Sequence, residues 1–152
     1  LALVGSMATD DPEGWEFLQN TLAHADGDPD IKILNNLNNV GAIEVNAFQS
    51  QADVCLQKSI REGFGLTVTE ALWKGRPTIG GAVGGIPLQI IDGETGFLVS
   101  SIEETAERTL ALLRDPELAK RLGRAGKEHA RKNFLSPRLL RDWLQIFTDL
   151  GV

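Results

Sequence analysis

Cysteine is nearly missing from this sequence. Of 152 residues only Cys55 carries a thiol, so no disulfide can close within the chain and a cytoplasmic setting is expected. Cys55 stands in the apolar run DVCLQ, where a buried small hydrophobe is expected rather than a nucleophile. No apolar run reaches the roughly 18 residues of a membrane span, and no charged-then-apolar leader is found. Positive charge is also short: 15 Lys and Arg against 21 Asp and Glu leave a net charge of -6. Such a surface attracts neither nucleic acid nor an anionic membrane, although local amides and one or two cations can still bind a small anion.

The common reactive motifs are absent too. His24 and His129 have no Cys or acid partners at metal-ligand spacing, which argues against zinc. The acidic stretch DGDPD at 26–30 imitates a calcium loop, but its sixth position is Ile31 and its twelfth Leu37, so it is expected to be a solvated turn. There is no Gly-x-Ser-x-Gly elbow and no P-loop. Gly63-Phe64-Gly65 begins like a dinucleotide fingerprint, but Val68 stands where the third glycine belongs.

What remains is the composition of an ordinary globular protein, 42% hydrophobic and 24% charged, read as one domain over 1–152. Five short apolar runs, at 1–5, 31–34, 53–57, 77–80 and 96–99, are separated by segments long enough for crossover helices. Near-continuous apolarity suits parallel strands, and the expected fold is α/β: a Rossmann-like open parallel sheet with helices on both faces. Asp11-Pro12, Asp115-Pro116 and Ser136-Pro137 each place a capping side chain before a proline, and Ser101 with Glu104 forms a capping-box pattern. The segment 117–132 is expected to be a charged outer helix with Leu118 and Leu122 on its inner face. In 137–150, Leu140, Trp143, Leu144 and Phe147 share helical spacing. That helix either packs on its own sheet or crosses onto a neighbouring domain.

The stretch EGFGLTVTE, residues 62–70, follows the third apolar run by the short connection KSIR. A helix is expected from about Leu66 or Thr67 to Lys74, with Gly75 stopping it. Gly63–Leu66 then forms a loop at a strand's carboxyl end feeding a helix N-terminus, where open α/β sheets bind ligands and free N–H groups suit phosphate. Ionised Glu62 and Glu70 accept hydrogen bonds only and so suit sugar or ribose hydroxyls. A ligand of the form ribose-diphosphate-hexose fits that order of contacts. The competing possibilities are a capping box from Thr67 to Glu70 and a surface role for Glu62. A second glycine-rich stretch, GGAVGGIP at 80–87, is expected to lie against the same crevice or to form a turn needing positive φ, with a short helix over 88–91.

Residues 62–99 resemble the donor-binding half of the retaining family-4 glycosyltransferases of GT-B fold. The shared pattern is Glu, seven residues, Glu, a small-residue helix, a Gly-Gly loop and an Asp-Gly-x-x-Gly turn. VNAFQSQADVCLQKSIREGFGLTVTEALWKG and VGSMATDDPEGW are most similar to the branch holding the trehalose synthases and retaining trehalose phosphorylases. The resemblance implies that Glu70 binds the ribose and that Glu62, taken as the catalytic candidate, faces the hexose with Gly63, Phe64 and Gly65. Leu66 and Thr67 then serve the diphosphate, and Asn39 and Val40 lie near the base.

The implied activity is transfer of glucose from a nucleoside diphosphate glucose to glucose, forming trehalose. The alternatives are a retaining trehalose phosphorylase, another family-4 hexosyltransferase or, in a different class, a non-catalytic α/β binding module. No cofactor or metal is required by the motif, although Mg²⁺ is compatible with it, and a homodimer is left open. The family's phosphate-gripping Arg and Lys, a preceding strand and an acceptor-holding N-terminal domain are all expected upstream of Leu1, since the chain starts LALVG without an initiator Met. The portion in hand is expected to be inactive alone. Many relatives carry an acid shortly after the Gly-Gly loop, where this chain has Gln89.

Overall fold

The structure is a computed structural model that describes residues 1–8 and 10–151. Its residues fall into two compact units, Leu1–Phe48 and Gln49–Val152. In the first, β1 (Ala2–Val4) pairs parallel with β2 (Lys32–Leu34), Leu3 standing opposite Ile33. The crossover between them is α1 (Pro12–Ala25), capped as expected by Asp11, whose carboxylate accepts from Gly14 N–H at 3.0 Å. DGDPD is the turn that ends this helix, with Asp26 left-handed at φ 45° and Asp28 accepting from Asp30 N–H at 2.8 Å. A 3₁₀ turn (Asn36–Asn38) and the start of α2 (Ala42–Gln51) follow.

In the second unit β3 (Cys55–Gln57), β4 (Thr78–Gly81) and β5 (Phe97–Val99) form a parallel sheet in that order. All five expected strands are present and every pairing is parallel, in two sheets. Coverage differs between them. All four residues of β4 are buried, the signature of a strand covered on both faces, whereas the side chains of β1 are exposed.

The core of the second unit is built on helix α3 (Leu66–Trp73), which buries Val68, Ala71 and Leu72 at i, i+3 and i+4. Val68 and Leu72 join Ile86, Ile90 and Ala130 in one cluster. Ile79, Phe97 and Val99 pack with Leu112 of α4 (Ile102–Arg114) and Leu122 of α5 (Pro116–Asn133) in another. Ser101 caps α4 through Glu104 N–H at 3.1 Å, and Asp115 caps α5 through the N–H groups of Glu117 and Leu118.

Two expectations change. Helix α6 (Ser136–Leu150) is entered from Leu135, so Ser136 is the first helical residue and provides no cap. None of its residues is buried, and Leu140, Trp143, Leu144 and Phe147 are exposed, so the helix does not pack on its own sheet. Cys55 is half-buried, and burial pushes its thiol pKa up against the opposing effect of Arg76 and Lys74. Among the described residues no helix is long and apolar enough to cross a membrane.

Candidate functional site

Helix α3 has no side-chain cap. It starts from Gly65 in the left-handed region, φ 84°, and neither Thr67 nor Glu70 turns back to the backbone, so the capping-box alternative is not what the chain adopts. Val68 N–H is satisfied by Gly65 C=O at 3.0 Å. The N–H groups of Phe64, Gly65, Leu66 and Thr67 find no acceptor among the described residues. Four donors therefore gather at the positive end of a helix, an arrangement that takes an anion.

Both glutamates are held by neutral partners. Glu62 accepts from Gly63 N–H at 3.0 Å and from Ser59 Oγ at 3.3 Å. Ser59 in turn accepts from Gln57 Nε2 at 2.9 Å, so a short relay anchors the half-buried Glu62 carboxylate to the end of β3. Glu70 is exposed and accepts from Gln49 Nε2 at 2.9 Å, while Gln49 Oε1 takes a bond from Lys74 Nζ at 2.7 Å. Both carboxylates keep lone pairs free for hydroxyl donors.

The second glycine stretch follows β4 and packs backbone-to-backbone on the first loop. Gly85 N–H donates to Gly63 C=O at 2.9 Å. A Cβ on Gly84 would lie 1.7 Å from Glu62 O, and one on Gly85 would lie 2.7 Å from Gly63 O. Gly84 also needs positive φ, at 54°. These glycines are small because the Glu62 loop occupies the space beside them. The short helix expected over 88–91 is a 3₁₀ turn two residues earlier (Ile86–Leu88).

Gln89 follows that turn and is completely buried. Its Nε2 donates to Phe64 C=O and its Oε1 accepts from Thr69 Oγ1. The Phe64 ring lies 5.9 Å from Phe134, which lies 5.6 Å from His129, so the end of α5 forms an aromatic wall beside the loop.

Sequence reasoning located Glu62 to Thr67 and Glu70, which the structure gathers in the second unit. It missed Gln49, Gln57, Ser59 and Phe134, for which the sequence carries no signal, and it marked Gln89 only as a departure from relatives. Asn39 and Val40 belong to the first unit. Asn39 ends the 3₁₀ turn with φ 60°, and Val40 N–H donates to Asn35 C=O at 3.1 Å. A cleft of about 670 Å³ lies at the opposite, amino ends of β3 and β4, between Asp53, Arg76, Pro77, Lys120 and Arg124. One cation there is already engaged, Arg76 donating to Ala52 C=O at 3.3 Å. The free amides lie at the other edge, the carboxyl end where open α/β sheets bind their ligands.

A family model described as glycosyl transferases group 1 matches residues 16–129, three quarters of the sequence. The chain belongs to that family. A trehalose synthase of Rubrobacter xylanophilus is 62% identical to this group 1 glycosyltransferase over 150 residues, covering 99% of the chain and 36% of the relative. Among solved structures, a sucrose-phosphate synthase from Thermosynechococcus elongatus superposes with a TM-score of 0.82 at 27% identity, over 99% of this chain and 38% of that one. Anabaena Alr3699/HepE, solved in complex with UDP-glucose, shares the fold with a TM-score of 0.81 at 18% identity, over 97% and 40%. The glycosyltransferase chain thus spans little more than a third of these proteins, and its architecture is that of the Rossmann-like C-terminal half of a GT-B fold.

Proposed function

We propose that the loop 62–67 and Glu70 form the donor site of a retaining glucosyltransferase that takes glucose from a nucleoside diphosphate glucose and, in the whole protein, passes it to glucose to form trehalose. The observation that carries this reading is a run of four N–H groups with no acceptor among the described residues, with a held carboxylate before it in the chain and another after it. Amides of that kind take a diphosphate, each charge-assisted bond contributing about 1.5–3 kcal/mol, and adjoining carboxylates take sugar hydroxyls.

In this reading Glu70 accepts from the ribose diol, and the Leu66 and Thr67 amides hold the diphosphate. Glu62 and the amides of Phe64 and Gly65 face the hexose, with Gly63 leaving room for it. Fixed N–H dipoles stabilise the charge that develops on the leaving diphosphate, and they do so without reorganising during the reaction. The similarity to the Rubrobacter trehalose synthase supports trehalose as the product. The UDP-glucose bound by Anabaena HepE supports the class of donor. The acceptor contacts belong to the rest of the protein, and a cytoplasmic setting goes with the same reading.

The test is thermal. The full-length protein should be stabilised by a nucleoside diphosphate glucose, and Glu70→Ala should remove most of that shift. A melting temperature unmoved by every UDP-, ADP- and GDP-sugar would refute the donor site.

A further inference from the structure

Gln89 is a fully buried polar side chain between two loops, where an aliphatic residue would satisfy packing alone. Both ends of its amide are used. A backbone carbonyl can only accept, so the group facing Phe64 C=O must be Nε2, which leaves Oε1 to accept the Thr69 hydroxyl hydrogen. The amide thus ties the loop to the first turn of α3.

The consequence lies in the peptide planes. In a trans peptide the C=O and N–H point in opposite directions. Gly85 N–H holds the Gly63 carbonyl, so the Phe64 N–H turns away from the 3₁₀ segment. Gln89 holds the Phe64 carbonyl on that same segment, so the Gly65 N–H turns away as well. Gly65 is buried and its N–H has no acceptor among the described residues, and a buried orphan donor is the kind of group a ligand completes. At φ 84° Gly65 lies in a region where the plane is held by such ties and not by local preference.

We propose that Gln89 is the positioning residue of the donor loop: by holding the Phe64 carbonyl against the Thr69 hydroxyl it aims the Gly65 N–H at the glycosyl-phosphate end of the donor. It touches no substrate and acts through the peptide. The inference rests on the donor site proposed above. It adds that recognition of the sugar-bearing end is set from behind the loop, by a side chain that the ligand does not touch.

The experiment compares Gln89→Met, similar in length and apolar, with wild type in the full-length protein by calorimetric titration. The ligands are UDP-glucose, ADP-glucose and GDP-glucose, each against its free nucleoside diphosphate. Gln89→Met should weaken the nucleoside diphosphate glucose by about tenfold or more, the scale of one charge-assisted bond. The free nucleoside diphosphate, held by Leu66 and Thr67, should change by less than about threefold on the same scale. Thr69→Val keeps the amide but frees it to rotate, and should shift the same pair in the same direction; it decides the matter if Gln89→Met does not fold. Unchanged affinity for the sugar-bearing ligand, or equal loss for both ligands, overturns the positioning role. Wild type binding none of the six instead overturns the donor site itself.

Discussion

Gly84→Ala is the sharpest test of how the two glycine loops depend on each other. Two costs are read from the structure. Alanine at φ 54° meets its own carbonyl sterics, about 1–2 kcal/mol. Its Cβ would also lie 1.7 Å from Glu62 O and 2.7 Å from Glu62 C, all of it backbone that cannot rotate aside. Reaching ordinary contact requires the loops to part by roughly 1.5 Å, and forced repacking of that kind costs about 1–3 kcal/mol. Together the change is about 2–5 kcal/mol, and at roughly 2–4 °C per kcal/mol the melting transition falls by roughly 4 °C or more.

Gly63→Ala is the control. Its Cβ would meet nothing within 4 Å and its φ is not positive, so it should melt within about 0.5 kcal/mol of wild type. Donor affinity reads the displacement in Gly84→Ala a second way. Moving Glu62 and Gly63 by more than an ångström misplaces the amides and should weaken donor binding with the loss of stability. Differential scanning calorimetry with donor titration reads both quantities in the full-length protein. A Gly84→Ala variant that melts and binds like wild type would refute the claim that the second loop braces the first.

Two other perturbations have definite signs. Gly123→Ala should gain up to about 1 kcal/mol of helix propensity, yet its Cβ would sit 2.2 Å from Gly75 O, so α5 must lift off the turn before β4 and net destabilisation by denaturant melting is expected; a stabilised variant would refute that contact. Hydrogen bonds from Arg131 and then Lys132 hold the Glu128 carboxyl down at about 2. Because the folded value is depressed, its contribution is present above the ordinary value of 4.5 and is lost as pH falls towards 2. Melting temperatures of Glu128→Gln and wild type should therefore converge over that window, and the exposed pair should lose its effect in high salt. A difference undiminished between pH 5 and about pH 2 would sink the assignment.

The features legible in the sequence are those whose causes are local. Asp11, Ser101 and Asp115 cap their helices because the cap and the amides it satisfies lie within three residues. The strands were visible as apolar runs, and the start of α3 was found from the change of pattern after Gly65. Ser136 failed by one position because Leu135 takes the extended conformation that a cap requires. Gly123 and Gly126 were absorbed into a charged helix, although their partners are Gly75 and Leu72, some fifty residues away. Separations of 20–25 residues likewise hid the roles of Gln49 and Gln89. A glutamine carries no periodic signal, and only the meeting of two loops gives it work to do.

The pattern of partners around the two carboxylates narrows what the site can hold. Structural acids inside a fold are commonly paired with Arg or Lys, which consumes their charge and their lone pairs together. Glu62 and Glu70 are instead held by a serine, a backbone N–H and a glutamine, all neutral. The nearest relayed cation, Lys74, reaches Glu70 only through the Gln49 amide. Two carboxylates thus keep acceptor capacity on either side of amides that keep donor capacity. A purely anionic ligand would be repelled by the acids, and a purely neutral sugar would leave the amides unsatisfied. A molecule with hydroxyls at both ends and an anionic centre satisfies both, and a nucleoside diphosphate hexose has that order. Sulfate or inorganic diphosphate should therefore compete weakly for the loop, because each would fill the centre and leave both carboxylates facing an anion.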